Sequence, residues 1–453
     1  MTDGSARLGA AGVIEGDVLV PYLQEQRWYG AHSREVQGAG VVDVVPLDDD
    51  GHLRMALVDL VFDTGTHDLY QLLVRDHDGE VLEATGDPAS ATRLVELAAA
   101  RAVVDGGEGQ IAFDAIRPIT PPEAPVARQL GVEASNTVVV VGDLLLKTYR
   151  HVRAGVNAEL DMLLFFAEHG FEHVPELAGW YTYEGERVQA TLGLLQRFVP
   201  DAVDGWELGQ RELASTPESF FTLLERLGEV IGAMHAVLAS DGSDPSFAPE
   251  DPTPESAGLV SARIDEEIDA IFDEFGDREE LAPLVGRRNL AHELVLATAP
   301  STGLGRMIRT HGDLHLGQAL WRAGVETAGD WMVIDFEGEP TRAAATRRQK
   351  TAPLRDVAGM LRSFSYLASA ARRHGTDVPD EWVHEARCRF LDAYRASPAV
   401  AVLPSSLEAQ GQQLTMFELE KAFYELRYEM DHRPDWVDIP VDSIIALLEG
   451  TDT

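Results

Sequence analysis

The hydrophobic pattern of the chain changes near residue 200, and this change limits the folds that the sequence can adopt. Before it, short runs such as GAGVVDVVPL and HDLYQLLVRD alternate apolar and polar residues, which is typical of β-strands. After it, long segments such as FFTLLERLGEVIGAMHAVLA space apolar residues for one face of a helix. We therefore expect an α+β protein with a β-rich N-terminal part and a mainly helical C-terminal part.

Length and composition indicate globular units with real cores. The 453 residues exceed one typical domain, and 45% of them are hydrophobic. The single cysteine, Cys388, excludes a disulfide framework. No run reaches the roughly 18 apolar residues of a membrane span, and no secretion signal is recognisable, so we expect a cytoplasmic protein. The net charge of −39 disfavours nucleic acid and anionic membranes as partners.

Turn-forming residues divide the chain into three parts. Residues 1–95 predict a small, mostly β cap subdomain. A helix at ATRLVELAAARAVV follows, and the proline-rich RPITPPEAPVARQLG then predicts a loop-like linker. We assign residues 96–198 to a nucleotide-binding intermediate subdomain and residues 199–453 to a helical C-lobe.

A hairpin in the second part carries an unusual lysine. The run NTVVVVGDLLLKTYR predicts two strands that turn at Gly142 and Asp143. Lys147 lies late on the second strand and is the only lysine among the first 349 residues. In a chain that otherwise uses arginine, this lysine indicates that a compact ammonium group is needed in the strand. Chance drift on a surface strand is the alternative.

The stretch RTHGDLHLGQALW, residues 309–321, gathers polar side chains between apolar neighbours. His311, Asp313 and His315 alternate, which permits a metallohydrolase site on these three residues. Downstream, the apolar strand in DWMVIDFEGEP ends at Asp335. A hairpin between QALWRAG and WMVID would bring Asp313 and Asp335 into one site.

Two carboxylates, the amide of Gln318 and a strand lysine suit a magnesium nucleotide. Carboxylate and amide oxygens bind Mg²⁺, and Lys147 can neutralise phosphate charge. The remaining aspartate can orient the attacking hydroxyl group. The residues therefore favour phosphoryl transfer, with the metallohydrolase as the alternative.

The same residues carry a family resemblance. HGDLHLGQ resembles the catalytic loop of aminoglycoside-phosphotransferase-like kinases, with Gln318 in place of the usual asparagine, and IDFEGEP resembles their metal-binding segment. An ordered set from about residue 24 to 440 is similar to the maltokinases of actinobacteria: QRWYG, SNTVVVVGDLLLKTYR, DGWELGQRELA, PLRDVAGMLRSF and EKAFYELRYEMDHRPDW, with the two loops. The resemblance implies a bilobal protein-kinase-like fold.

The resemblance also implies roles at numbered positions. Asp313 would be the catalytic base, and Gln318 and Asp335 would bind Mg²⁺. Lys147 would contact the ATP phosphates. The residues implied for the rest of the nucleotide site are Ser135 and Asn136 in the covering loop, Asp161 as the lysine partner, and the backbone near Gln196 and Phe198.

The acceptor site is implied at a second set of positions. On one helix face, Lys421, Tyr424 and Tyr428 would contact a disaccharide, with packing of the two tyrosines in a core as the alternative. Ion pairs of Lys421 with Glu418 and Glu425 on the same helix are the alternative. His315 and Glu337 complete the predicted acceptor residues, with a loop-stabilising hydrogen bond as the alternative for His315.

Two ion pairs are also expected. The family's lysine partner aligns with Asp161, which we prefer slightly over Glu159 as the partner of Lys147. Arg355 and Asp356 in PLRDVAG predict a structural ion pair under the catalytic loop, with Arg355 as a phosphate-facing cation as the alternative.

The implied activity is that of a sugar kinase using ATP and Mg²⁺. It would transfer the γ-phosphoryl group to the anomeric hydroxyl of maltose and give maltose 1-phosphate for α-glucan (glycogen) synthesis. Glucosamine and aminoglycoside kinases on the same fold are the alternative, since Glu337, Glu418 and Glu425 could bind an amino group. The partner is a small-molecule sugar acceptor. The resemblance also allows a trehalose-pathway enzyme as a protein partner. The oligomeric state would be a monomer or a homodimer.

Overall fold

The computed structural model describes residues 7–10, 13–32, 34–124, 127–130, 136–298, 305–324, 329–339 and 347–450. The chain divides into two units: Met1–Glu168 with Pro175–Val199, and His169–Val174 with Pro200–Thr453. The first unit contains most of the strands and the second most of the helices, so the α+β class is confirmed.

The first unit begins with an antiparallel sheet that is apolar on both faces. On β4, Met55 and Leu57 pack in the core that includes helix α2, while Val58 and Leu60 pack with helix α1 on the opposite face. The sheet order is β2-β1-β6-β5-β4-β3. The elements are β1 (Arg7–Ala10), β2 (Val13–Ile14), α1 (Gly16–Gln24), β3 (Val36–Pro46), β4 (Leu53–Phe62), β5 (His67–His77), β6 (Glu80–Glu83) and α2 (Pro88–Ala100).

A second sheet in the same unit carries Lys147. Its order is β7-β8-β13-β14-β11-β10-β9. The predicted hairpin is confirmed, because Val141 pairs with Leu144 across a turn in which Gly142 has φ +63°. The elements are β7 (Val103–Asp105), β8 (Gly109–Ala115), β9 (Ala127–Gln129), β10 (Asn136–Val141), β11 (Leu144–Tyr149), α3 (Ala158–Glu168), β13 (Leu177–Gly185) and β14 (Gln189–Arg197). Between β11 and α3, β12 (His151–Val152) pairs with β5 and so belongs to the first sheet.

Two local predictions need correction. The segment predicted as a loop-like linker contributes β9, which pairs with β10 through Val140 and Arg128. The helix predicted in ATRLVELAAARAVV ends at Ala100, since Arg101 adopts a left-handed conformation with φ +49° and the chain continues as β7. In both places sheet pairing decides the structure, and pairing is a long-range contact that local sequence does not contain.

Buried polar side chains join the two sheets of this unit. Gln71 on β5 is fully buried, and its Nε2 donates to the carbonyl oxygen of Tyr149 at 2.6 Å and to that of Leu192. Arg150 is also buried and donates to Glu83 at 2.9 Å and to Thr137 at 2.7 Å. The cap sheet is therefore tied directly to the strand that carries Lys147.

The second unit is a helical bundle with one small sheet. Helix α5 packs on α9, and α8 packs on α10. In the sheet, β16 pairs with β17 from Ala319↔Val333 to Arg322↔Asp330, which confirms the predicted hairpin. None of the described helices is long and apolar enough to cross a membrane. The elements are β15 (Ala202–Asp204), α4 (Gly205–Ser215), α5 (Ser219–Leu238), α6 (Pro254–Phe275), α7 (Arg288–Thr298), β16 (Ala319–Arg322), β17 (Asp330–Val333), α8 (Leu354–Arg373), α9 (Trp382–Ala396), α10 (Leu407–His432) and α11 (Asp438–Glu449).

Because Gln71 donates to two buried carbonyl groups, we expect its replacement to lower the stability of the protein. Gln71→Leu removes the donor from two buried carbonyl groups, and we expect the free energy of unfolding to fall by roughly 1–3 kcal/mol in urea denaturation. The matched control is Gln189→Leu, an exposed glutamine on β14. That substitution should change the free energy of unfolding by less than about 0.5 kcal/mol. Equal effects of the two substitutions would contradict the assigned role of Gln71.

Candidate functional site

Two loops meet at one end of the β16–β17 hairpin. The amide of Ile334 donates to the carbonyl oxygen of Gln318 at 3.0 Å, and Nε2 of His311 donates to the carbonyl oxygen of Ile334 at 2.8 Å. Gly312 and Gly338 both have positive φ, +85° and +73°. A Cβ atom on Gly312 would lie 3.3 Å from the Cα atom of Gly338, so the loops approach too closely for most side chains.

The ring of His311 fixes the geometry of the first loop. Its Nδ1 accepts a hydrogen bond from the amide of Asp313 at 3.3 Å, and its Nε2 donates to Ile334. This pattern requires the proton on Nε2 and uses both ring nitrogens inside the protein. His311 therefore orients Asp313 and is not available as a metal ligand in this arrangement.

A buried carboxylate binds the backbone of the same loop. Asp356, at the start of α8, accepts hydrogen bonds from the amides of His311 at 2.7 Å and Gly312 at 2.9 Å. His235 on α5 lies 3.1 Å from it through Nε2, and Nδ1 of His235 lies 2.8 Å from the hydroxyl of Tyr394. Burial would raise the pKa of Asp356, but the hydrogen bond from His235 and the nearby positive charge outweigh it and hold the pKa below 3.8.

The prediction of an ion pair between Arg355 and Asp356 is wrong. Asp356 bonds to the loop amides and His235, while Arg355 donates to Glu420 at 2.9 Å and to Glu339 at 3.4 Å. Adjacent residues on a helix point about 100° apart, so the two side chains reach different neighbours. Asp356 does lie under the loop, as expected, but as an acceptor for backbone amides.

Lys421 on α10 pairs with the predicted catalytic base. Its Nζ lies 2.9 Å from Oδ1 of Asp313, 3.4 Å from Oε1 of Glu339 and 4.5 Å from the ring centre of Tyr424. Burial alone would lower the pKa of Lys421, but the two carboxylates outweigh burial and raise it above the usual value. Lys421 therefore stays charged and holds the Asp313 carboxylate in one orientation.

Glu418 and Glu425, the alternative partners of Lys421 on its own helix, form ion pairs with other residues. Glu418 forms two bonds with Arg387, at 2.8 and 3.0 Å. Glu425 pairs with Arg362 at 2.7 Å. Both carboxylates are thus neutralised by arginines from other helices.

The predicted metal ligands lie side by side. Nε2 of Gln318 donates to Oδ2 of Asp335 at 3.1 Å, which leaves the carbonyl oxygen of Gln318 as its cation-binding atom. Asp335 has φ +64°, a strained conformation for a residue other than glycine. Such strain is typical of functional sites, and two adjacent oxygen donors suit Mg²⁺, which keeps several waters and uses few protein ligands.

His315 has a structural role in the loop. Its Nδ1 accepts a hydrogen bond from the amide of Gly317 at 3.1 Å and caps the 3-10 turn Leu316–Gln318. Burial lowers the pKa of His315, and the opposing charge of Asp313 does not cancel this effect. Among the residues that the structure describes, no group of three His, Cys, Asp or Glu side chains is arranged to hold a metal. The metallohydrolase alternative therefore lacks its ligand set.

The first unit holds Lys147 in a buried ion pair. Its Nζ lies 2.9 Å from Oε2 of Glu159, and both side chains are almost fully buried. Tyr149 donates its hydroxyl to the same oxygen at 2.9 Å. The slight preference for Asp161 as the partner is therefore corrected, because Asp161 lies about 200° around the helix from Glu159 and is partly exposed. The surface-strand alternative for Lys147 is also excluded by its burial.

Two other predicted nucleotide residues lie on the same sheet, and Phe198 follows its strand β14. Asn136 begins β10, opposite Tyr149, and is buried. Gln196 ends the buried part of β14, and the amide of Phe198 donates to the carbonyl oxygen of Asp143 at 2.9 Å. Ser135 falls outside the described residues.

The remaining acceptor residues are partly exposed. Tyr428 is 42% exposed and stacks on His432 at 4.5 Å between ring centres, while Tyr424 is half-buried beside Lys421. The side chain of Glu337 lies in the second loop, two residues after Asp335, and is half-buried.

Sequence reasoning missed His235 and assigned no role to Glu339. His235 is a lone histidine on the apolar helix α5, a pattern that is usually structural and gives no sign of its partner 121 residues away. Glu339 was visible as the last carboxylate of DFEGEP, and its burial could only come from the fold.

Comparison with known families gives two matches. A family model described as the phosphotransferase enzyme family matches residues 126–375, which is more than half of the chain. A model described as the maltokinase N-terminal cap domain matches residues 22–108.

Individual relatives are similar over most of their length. A glucosamine kinase from Streptacidiphilus jiangxiensis is 27% identical over 396 residues, covering 83% of this chain and 85% of the relative. A glucosamine kinase from Mycolicibacterium smegmatis is 26% identical, covering 72% and 81%. A solved structure of a glucosamine kinase with glucosamine, ADP and inorganic phosphate has a TM-score of 0.71 at 22% identity, covering 94% of this chain and 97% of that chain. The likeness supports a kinase-like fold.

We expect replacement of the buried Asp356 carboxylate by an amide to destabilise the protein by an amount that depends on pH. In Asp356→Asn, only one of the two side-chain positions is still an oxygen that can accept hydrogen bonds. We therefore expect the free energy of unfolding near neutral pH to fall by about 3 kcal/mol. Because the folded pKa of Asp356 lies below 3.8, its stabilisation is present above that value and is lost as the pH falls through the folded pKa. Urea unfolding measured from neutral pH down to about pH 3 should show the difference between the two proteins shrinking.

The control for this prediction is Asp380→Asn, in the same unit, whose side chain is fully exposed. It should change the free energy of unfolding by less than about 0.5 kcal/mol at every pH. A loss in Asp356→Asn that does not depend on pH would show that the charge of Asp356 is not what stabilises the loop.

Proposed function

The chain belongs to the phosphotransferase enzyme family, and on this premise we propose that it is an ATP-dependent sugar kinase with maltose as the acceptor. The product would be maltose 1-phosphate, a donor for α-glucan synthesis. The match of residues 22–108 to the maltokinase cap domain supports this acceptor. Glucosamine is the alternative acceptor, because the two relatives of 27% and 26% identity are glucosamine kinases.

The observation that carries the proposal is the ion pair of Lys421 with Asp313 at 2.9 Å. An ammonium group beside the base repels the ammonium of an amino sugar but can donate hydrogen bonds to the hydroxyls of an uncharged sugar. Two of the three carboxylates that could bind an amino group are neutralised elsewhere, Glu418 by Arg387 and Glu425 by Arg362. The charges near Asp313 therefore favour an uncharged acceptor.

The proposed chemistry is the transfer of one phosphoryl group. The anomeric hydroxyl oxygen attacks the γ-phosphorus of ATP, a new O–P bond forms, and the bond between the γ-phosphorus and the β-phosphate oxygen breaks. ADP leaves, and Asp313 accepts the hydroxyl proton. Lys421 positions the carboxylate for this step, since it binds one of its oxygens. His311 positions the backbone of the same residue.

Other residues would bind the nucleotide and its metal. Lys147, oriented by Glu159, would neutralise phosphate charge. Gln318 and Asp335 would hold Mg²⁺, which when bound neutralises charge on the phosphate oxygens. The three-part division at residues 95 and 198, the cytoplasmic location, the trehalose-pathway partner and the choice between monomer and homodimer stay predictions.

The rings of Tyr424 and Tyr428 would bind the sugar. Their positions on α10, three and seven residues after Lys421, place all three on one helical face. Aromatic faces bind the apolar faces of sugar rings, and the partial exposure of both side chains leaves surface for this contact.

A product analysis tests the proposed reaction. Purified protein with ATP and Mg²⁺ is offered maltose, glucosamine, glucose or an aminoglycoside, and the phosphorylated position is identified by NMR. We expect maltose 1-phosphate as the dominant product. A phosphorylated amino sugar would keep the kinase activity and replace the acceptor, while no ATP-dependent product with any acceptor would contradict the kinase proposal.

Substitution of Lys421 separates the two acceptors. Lys421→Met removes the partner of Asp313, and we expect kcat/KM for maltose to fall by about 100-fold, as when one member of a buried charge pair is lost. The ratio of kcat/KM for glucosamine to that for maltose should rise, because the repelling charge is gone. Initial rates with both sugars measure both effects.

The matched control is Arg427→Met, a partly exposed cation on the same helix that pairs with Glu267. It should leave both values within about threefold of the unmodified protein. If Lys421→Met has no larger effect than this control, Lys421 does not act on Asp313 during turnover.

A further inference from the structure

Two carboxylates bind the ammonium group of Lys421. Its Nζ lies 2.9 Å from Oδ1 of Asp313 and 3.4 Å from Oε1 of Glu339. The side chain of Glu339 is 5% exposed, so little water screens its attraction for the ammonium group. An ammonium group drawn further towards Glu339 would move away from Asp313, the proposed base. The position of Lys421 therefore depends on how strongly Glu339 attracts it.

Arg355 binds the other oxygen of Glu339. Its Nη2 donates to Oε2 of Glu339 at 3.4 Å, while Lys421 contacts Oε1. The side chain of Arg355 is 11% exposed. A positive charge at this distance weakens the attraction of the carboxylate for a second cation, because part of the negative charge is compensated. Removal of Arg355 takes this compensation away from Glu339, whatever its other contacts are.

Two helices hold the guanidinium group of Arg355 in place. It donates to both oxygens of Glu420, at 2.9 and 3.1 Å, in the paired geometry that suits arginine and carboxylate. Glu420 directly precedes Lys421 on α10. One turn after Arg355 on α8, a Cβ atom on Gly359 would lie 2.6 Å from the carbonyl oxygen of Leu314. Helix α8 therefore packs directly on the catalytic loop, and its contact with α10 fixes Arg355 beside Lys421.

The space among these charged groups is small. One cavity of about 20 Å³, room for about one water molecule, is lined by Asp313, Glu339, Arg355, Glu420 and Lys421. The charges therefore act on one another at short range and with little solvent between them. Loss of one charge changes the forces on the others.

We propose that Arg355 is a positioning residue for phosphoryl transfer. By compensating the charge of Glu339, it keeps Lys421 on Asp313. Arg355 acts through these residues and not on the reacting atoms. The effect on turnover rests on the proposed kinase function, whereas the effect on the ion pairs does not.

Because the chain has only three lysines, NMR tests the ion pairs without turnover. Protein labelled with ¹⁵N at its lysine side chains should give three Nζ signals, and Lys421→Met identifies the signal of Lys421. We expect Arg355→Met to shift this signal, because the ammonium group moves towards Glu339. In the Glu339→Gln background, adding Arg355→Met should leave the signal in place, since the competing charge is gone. A direct effect of the missing guanidinium group would persist in that background.

Initial rates with the accepted sugar test the effect on the reaction. We expect Arg355→Met to lower kcat by about tenfold and to leave KM for ATP within about twofold, because the base is disturbed and the nucleotide site is not. Arg355→Lys keeps the positive charge and should recover most of the rate. In the Glu339→Gln background, adding Arg355→Met should lower kcat by less than about threefold.

The matched control is Arg263→Met, which removes a second arginine that binds Glu420, at 2.8 Å. It should leave the Lys421 signal in place and kcat within about twofold of the unmodified protein. Thermal unfolding should confirm that the variants fold. If Arg355→Met does not fold, Arg355→Gln replaces it, because the amide can still donate to Glu420 but carries no charge.

The proposal is overturned if Arg355→Met shifts the Lys421 signal no more than Arg263→Met does. It is also overturned if Arg355→Met has the same effect in the Glu339→Gln background as in the unmodified protein. An unmodified protein that forms no ATP-dependent product would contradict the kinase function instead. The NMR comparison would then still decide whether Arg355 keeps Lys421 on Asp313.

Discussion

The geometry of the candidate site depends on one buried carboxylate. Asp356 accepts hydrogen bonds from the amides of His311 and Gly312, the two residues before Asp313. A buried charge is costly unless its oxygens are paired, and here two amides and His235 pair them. Because Tyr394 in turn contacts His235, helices α5, α8 and α9 all fix the position of the loop.

The three lysines of the chain share one kind of environment. Lys147 pairs with Glu159, Lys350 with Glu250, and Lys421 with Asp313 and Glu339. Their side chains are 4%, 8% and 15% exposed, in a protein whose other cations are arginines. The few lysines of the chain thus mark three buried or half-buried ion pairs.

Local sequence patterns predicted the secondary-structure elements that carry the site. They did not predict which residues distant in sequence pair with one another. The hairpin at Gly142 and the hairpin at β16–β17 follow from turn residues and from the pattern of apolar residues in the strands. The partners of Lys147, Arg355 and Lys421 were predicted wrongly or left open. Lys421 meets Asp313 across 108 residues of sequence, and such contacts depend on helix rotation and packing that local sequence does not contain.

The central claim is that Asp313 accepts the proton of the attacking hydroxyl. The direct measurement is single-turnover phosphorylation of the accepted sugar by Asp313→Asn, together with the affinity for Mg-ATP. The account predicts a rate loss of roughly 10² to 10⁴-fold with nearly unchanged nucleotide affinity, because asparagine keeps the shape of the side chain but cannot accept the proton. A rate close to that of the unmodified protein would contradict it.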